Sequence, residues 1–332
     1  MTIGKRCVIW ASILILAPLA LAQKYTVTDL GLFSGGAVSQ GNAVNVIGQI
    51  AGYARFANFN AHGFRWSQRT GLVDLGAIPP ASDFSVAKGI NSLGDVVGYS
   101  YPSPPLAAAR AVLWSHGKLQ VLGIGQATGI NDLGQIAGFA SFGGGAVHAA
   151  IWSKGGVQDL GTLPGGTYSQ GFAINVEGVV VGDADAADGN PYGVLWTPST
   201  GLQALPMLPG QLPSASANGV NDLGQAVGGV GSIATLWQND KNHTVESLGM
   251  LQGAGDSTAF AINDAGQVVG WSGFAAFIWT RQTGMLDLNQ LIPANSGWSL
   301  TIASSINARG QITGEGVFNG TEHGFLLTPV PQ

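Results

Sequence analysis

Seven near copies of one short stretch, clearest as AINDAGQVVG from Ala261 to Gly270, constrain what this chain can fold into more than any other feature. Their common skeleton is N-x-x-G-x-x-x-G, beginning at Asn45, Asn91, Asn131, Asn175, Asn221, Asn263 and Asn307, and every copy keeps both glycines. The asparagines recur every 40 to 46 residues. That period suits the blades of a propeller and is too long for one coil of a β-helix.

An Asn opening a four-residue turn can bond its side chain to the backbone two residues on, and a Gly closing the turn tolerates positive φ. The motif therefore predicts strand, tight hairpin, strand. Apolar residues stand on consecutive positions after the turn, as in Val268-Val269, Val96-Val97 and Val180-Val181. Such runs imply strands covered on both faces, as when small sheets stack on one another. The second glycine, Gly270 in the clearest copy, marks a bulge or a close backbone approach. A third run ends in Trp66, Trp114, Trp152, Trp196, Trp237 or Trp279, with Leu327 in that slot of the last copy, and a fourth ends in Asp-Leu-Gly or a variant. Four short strands per period are the content of one propeller blade.

The ends of the chain are ragged in complementary ways. Tyr25 to Gly31 has the form of a fourth strand with no first three before it, whereas the last copy stops after its third strand. If the N-terminal strand completes the last blade, both open sheet edges disappear. The expected fold is all-β: one seven-bladed β-propeller of four-stranded blades over residues 23–332, its ring closed by that strand. Before it, Lys5 and Arg6, an apolar run and Ala20-Leu21-Ala22 have the layout of a signal peptide over residues 1–22. The expected product is secreted or periplasmic, has no membrane span, and loses Cys7, the only cysteine, with the leader.

The chain carries 13 basic and 18 acidic residues, and losing Lys5 and Arg6 makes it more acidic still. A nucleic-acid footprint is not expected. Charged residues make up 9% against a typical ~25%, and Gly numbers 52, so the surface is expected to be neutral and polar.

In such a ring the loops joining fourth to first and second to third strands share one face. The Asn-turns on the other face keep one length, while the first set varies from the brief Gly125-Gln126-Ala127 to Leu291 through Ser299, and from Ser272-Gly273 to Tyr101 through Ala109. Variable loops on a rigid scaffold are where binding usually resides.

Read together as S-x-A-x-A-I-N-D-x-G-Q-V-V-G, H-A-F-L-W and D-L-G-x-L-P-G-G, the copies resemble the bacterial extracellular repeats of the HAF family. The resemblance runs over the whole chain after the leader. Its eponymous triplet is approached by His62-Gly63-Phe64 and His323-Gly324-Phe325 and less closely by His148-Ala149-Ala150, while Arg110, Tyr192, Ile233 and Ala275 take the His slot elsewhere. It implies an exported repeat protein and no particular chemistry.

Several constellations invite chemical readings. His62, His148 and His323 share one slot on separate blades, which places them too far apart for one ion, and a structural role is expected. Asp183, Asp185 and Asp188, with Gly189, resemble a calcium loop, but the spacing is one residue too long for the EF-hand and the distal Glu is missing. Ser85-x-x-Lys88 matches a nucleophile pattern, yet Ser39 and Ser169 fill the same repeat slot. Asp29, Asp74, Asp159 and Asp287 recur before Leu and suit turn capping better than a glycosidase pair. Common nucleophile, zinc-protease and nucleotide signatures are absent. No catalytic residue, metal or cofactor is therefore assigned. The candidate ligand-binding residues lie on the variable-loop face: the aromatics Tyr168, Tyr192 and Trp298 and the carboxylates Asp83, Asp185 and Asp188, with Asp256 a further acidic candidate. The expected function is an exported binding module for a glycan or protein. A carbohydrate-active hydrolase or lyase and a structural surface protein are the alternatives.

Overall fold

A computed structural model describes residues 24–58, 60–79, 84–101 and 108–331. The leader, Cys7 and Asp83 lie outside them, as do residues 102–107 of one variable loop. The described chain is all-β, with somewhat more than half of it in strands that pair almost wholly antiparallel, and is of propeller type. One complete unit runs Val38–Val44, Ile50–Arg55, Ala61–Ser67 and Gly71–Asp74, each strand hydrogen-bonded to the next.

The repeated motif explains each hairpin. In the Asn131 copy, Oδ1 accepts from the N–H groups of Leu133 (3.1 Å) and Gln135 (2.9 Å), and Gly134 sits at φ 77°. The Asn side chain thus holds the backbone four residues on as well as two. The second glycine serves a different purpose. Opposite it the first strand bulges, between Gly41 and Ala43 or between Gly171 and Ala173, for example. A Cβ at Gly52 or Gly182 would collide with the carbonyl of Gln40 or Gln170. The bulge and the close approach are one feature.

Three units stand as separate four-stranded sheets. They are Ser169–Ile174, Val180–Asp185, Pro191–Thr197 and Gly201–Ala204; then Ala215–Val220, Ala226–Val230, Ile233–Trp237 and Val245–Gly249; then Ser257–Ile262, Val268–Ser272, Ala275–Thr280 and Gly284–Asp287. A seven-stranded sheet joins two further units through the strand Lys118–Ile130, which is the outer strand of one and the inner strand of the next. Gly125-Gln126-Ala127 is therefore strand, not the short loop expected from the sequence. The connection is so brief that the chain keeps pairing, and Gly123 and Gly125, at φ 145° and 140°, absorb the change of partner.

Trp298–Ile306, Ile312–Phe318 and Thr321–Pro329 form the last repeat, and Tyr25–Asp29 pairs along it from Tyr25 opposite Pro329 to Asp29 opposite Phe325. The N-terminal strand does complete this repeat as its fourth. One parallel bridge, Val38 to Glu322, links it to the first unit.

Between units the side chains interdigitate. Leu30 and Leu326 pack with Val44, Ile50, Phe64 and Trp66, so the last and first repeats share a core. Val181 and Leu195 meet Ala215, Ala217 and Trp237 in the same way. Beneath these layers the buried asparagines are wired in series. Each Nδ2 donates to the backbone carbonyl of the next asparagine: Asn45 to Asn91, then to Asn131, Asn175, Asn221, Asn263 and Asn307. Asn307 donates to Asn45 at 2.9 Å, which brings the series back to its start.

Candidate functional site

On the variable-loop face, a groove of about 940 Å³ opens between the sheet that ends in Gly284–Asp287 and the one that begins with Trp298. Its walls come from the loop through Leu251 and Asp256, the hairpin carrying Trp271 and Phe274, and the segment through Asp287, Asn289 and Gln290. Ser299 lines it from the next unit. Phe274 stands at the hairpin tip, 96% exposed, while Trp271 is half-buried in the wall. Held in water by a two-residue turn, Phe274 adds nothing to its own unit's core and leaves an aromatic face free at the groove. Asp287 accepts from the Asn289 N–H at 2.8 Å and from its Nδ2 at 2.9 Å. Asn289 in turn accepts from the Leu300 N–H and donates to the Leu300 carbonyl, which anchors this wall to the next unit. No Lys, Arg or His lines the groove among the described residues.

The residues singled out in the sequence are dispersed. Tyr168, Asp185, Asp188 and Tyr192 belong to one unit, Trp298 belongs to another, and Asp83 lies outside the described residues. None of the five described ones lines the groove. Asp256 does. Trp298 lies flat on Phe318, with centroids 4.9 Å apart, and edge-on to His323 and Phe325, so it packs over its own unit. Tyr192 donates from its hydroxyl to Asp188 at 2.9 Å, and Asp188 also accepts from the Asn190 N–H and Nδ2. Asp185 accepts from the N–H groups of Thr167 and Tyr168 and from the Thr167 hydroxyl. Both carboxylates close their own loops and do not converge on a shared ion position, and no metal-ligating cluster occurs among the described residues. Asp183 differs, because its Oδ1 is buried without a partner and burial pushes its carboxyl up to about 6. Burial and the nearby charges of Asp183 and Asp185 push the Tyr168 phenol up to about 12.

The recurring His and Asp residues explain each other. His62 pairs through Nδ1 with Asp74 at 3.0 Å, His148 with Asp159 at 2.9 Å and His323 with Asp29 at 2.8 Å. Each carboxylate also accepts from the N–H of the Gly two places on, so it caps the turn that ends the outer strand. Burial by itself would raise the Asp74 carboxyl, but the hydrogen bonds from His62 and Gly76 outweigh it and hold the group below the ordinary carboxylate value. A depressed carboxyl contributes stability above its unfolded pKa and loses that contribution as pH falls through its folded pKa. His62→Ala is expected to move the Asp74 titration back up, read by carbon-detected NMR. An unchanged titration would show that Gly76 alone sets it.

Ser85 is likewise a repeat residue. Its Oγ donates to the Gly76 carbonyl and accepts from the Gly63 N–H, and Ser39, Ser169 and Ser257 make the same pair of bonds in their units. Fully buried and bonded both ways, it is not an available nucleophile.

Sequence reading missed Trp271, Phe274, Asn289 and Gln290. A signal for Trp271 existed: it occupies the slot after the second glycine, where the other copies carry Tyr53, Tyr99, Phe139, Asp183, Gly229 and Glu315. The slot changes from aromatic to acidic to glycine between copies, unlike the two glycines beside it.

No family model matches the chain. No curated protein matches it either. Among solved structures it is similar to a streptogramin B lyase at TM-score 0.54 and 11% identity, over 92% of this chain and 98% of that one. It is also similar to the extracellular domain assigned to a one-component system of B. thetaiotaomicron, at TM-score 0.57 and 9% identity, over 93% of this chain and 40% of that one. At these identities the likeness establishes the propeller-type fold and nothing of the chemistry.

Proposed function

We propose that this chain is an exported binding module of the HAF-repeat type, a closed seven-bladed propeller whose variable-loop face takes a glycan in the groove between Trp271 and Phe274. The seven Asn-turns, the return of the asparagine series from Asn307 to Asn45, and the pairing of Tyr25–Asp29 with the last repeat support the closed ring. The observation that carries the binding reading is the exposed ring of Phe274 facing a groove otherwise rich in hydrogen-bonding side chains. Sugars present flat C–H faces and hydroxyl edges, which aromatic rings and Asn, Gln, Ser and Asp side chains meet respectively.

A glycan array probed with the wild-type chain and with Trp271→Ala and Phe274→Ala tests this. Selective binding that weakens about tenfold or more in both variants is expected. No binding to any glycan, or binding indifferent to both changes, would overturn it.

One observation favours the hydrolase alternative. Glu315 and Glu322 lie on the same side of adjacent strands, and burial together with the Glu322 charge raises the Glu315 carboxyl. Two neighbouring carboxyls, one of them raised by burial and by the other's charge, are the kind of pair that acid–base cleavage uses. Polysaccharide turnover abolished by Glu315→Gln would transfer the assignment to that pair.

A further inference from the structure

Asp256 differs from the other carboxylates of the loop face. It stands just before the strand Ser257–Ile262, two residues from Thr258, which pairs with Trp271 across the hairpin. Asp256 and Trp271 both line the groove. The Asp256 backbone carbonyl accepts from the Gly273 N–H at 3.1 Å and from the Ser272 hydroxyl at 3.0 Å, which holds it against the tip carrying Phe274. Its carboxylate, unlike those of Asp185, Asp188 and Asp287, receives no hydrogen bond or ion pair from any described residue. Partly exposed on the groove wall, it is open to solvent.

A ligand seated on Trp271 and Phe274 shields that carboxylate from solvent. A neutral ring would leave a lone carboxylate desolvated, which is costly, whereas an ammonium group neutralises it and is drawn to the same aromatic faces. An anionic sugar finds no counter-charge, because no basic side chain lines the groove. Lys24, whose ammonium bonds to the Gln290 carbonyl, is not among the lining residues. We propose that the groove selects a sugar bearing a free protonated amine, received by Asp256 between Trp271 and Phe274. This rests on the glycan reading above.

The test is calorimetric titration of the chain with three oligomers of equal length: glucosamine, N-acetylglucosamine and a uronic acid. Asp256→Asn serves as the test variant. Asp240→Asn, on the opposite face between the strands Ile233–Trp237 and Val245–Gly249, controls for general attraction between a cationic oligomer and an acidic chain. The glucosamine oligomer is expected to bind about tenfold or more tighter than the acetylated one, with that preference lost in Asp256→Asn and kept in Asp240→Asn. Equal or tighter binding of the acetylated oligomer, or a preference that survives Asp256→Asn, would overturn the amine assignment while leaving the glycan reading standing. Failure of all three oligomers to bind, together with an empty glycan array, would remove both.

Discussion

Asn131→Asp is expected to lower stability by about 3–5 kcal/mol near neutral pH, because it replaces a buried donor with a buried charge. The wild-type Nδ2 donates to the Asn175 carbonyl at 3.0 Å and to Gln135 Oε1 at 2.8 Å. A carboxylate there would face the fixed carbonyl oxygen of Asn175 with no cation beside it, and only Gln135, by turning its amide, can donate to it. The introduced carboxyl titrates above its unfolded value, so the variant's deficit is smallest below about pH 4, where a protonated oxygen can still donate to Asn175, and grows as pH rises through the folded pKa. Denaturant unfolding at two pH values measures both the size and the sign. The companion change Asn307→Asp tests the ring itself. Its amide donates to Asn45 at 2.9 Å, across the junction of last and first repeats. A loss as large as at Asn131 is expected of a ring joined all the way round, and a negligible loss at Asn307 alone would show that this junction bears no part of the stability.

The two glycines of the motif are expected to respond very differently to alanine. At Gly134 the space around an added Cβ is open, and the cost is that of a left-handed backbone, about 1 kcal/mol. At Gly182 the added Cβ would collide with the Gln170 carbonyl and crowd the Cα of Gly171. Neither is a flexible side chain that can swing away, so the bulged strand must shift. A loss of about 3 kcal/mol or more is expected, read by thermal or denaturant unfolding. Equal losses at the two sites would mean that the second glycine is kept for its dihedral angles and not for the approach of the neighbouring strand.

How far the sequence could be read follows from the range of the interactions involved. The hairpin was legible because Asn131, Gly134 and Gly138 act within eight residues of one another. The Trp slot and the Asp-Leu-Gly turn were legible because they recur at a fixed offset from it. The histidines were legible only as strand-end residues, since the pairing of His62 with Asp74 joins two strands whose register is not written in either. Gly125-Gln126-Ala127 was misread for a related reason: shortness marks a connection but does not say whether the chain stops pairing there.

The loop face was legible as a face and not as a site. Tyr168, Tyr192 and Trp298 are aromatic residues beside variable loops, and the structure shows Trp298 stacked on Phe318 and Tyr192 bonded to Asp188. Phe274 sits in a short hairpin that length comparison passed over, and among the described large hydrophobic residues it is the most exposed.

By itself, the sequence determined the repeated unit, its strand order, its turn chemistry and the complementary ends, because these depend on residues near one another along the chain and on a period that repeats seven times. Only the tertiary structure decided what meets across units. Each Asn amide crosses to the next unit's backbone, Leu326 of the last repeat enters the core of the first, and Asp256, Trp271 and Ser299 come to line one groove. Those contacts depend on how sheets stack and on which side of a strand a residue falls, and both are set by packing between units about 40 residues apart in sequence.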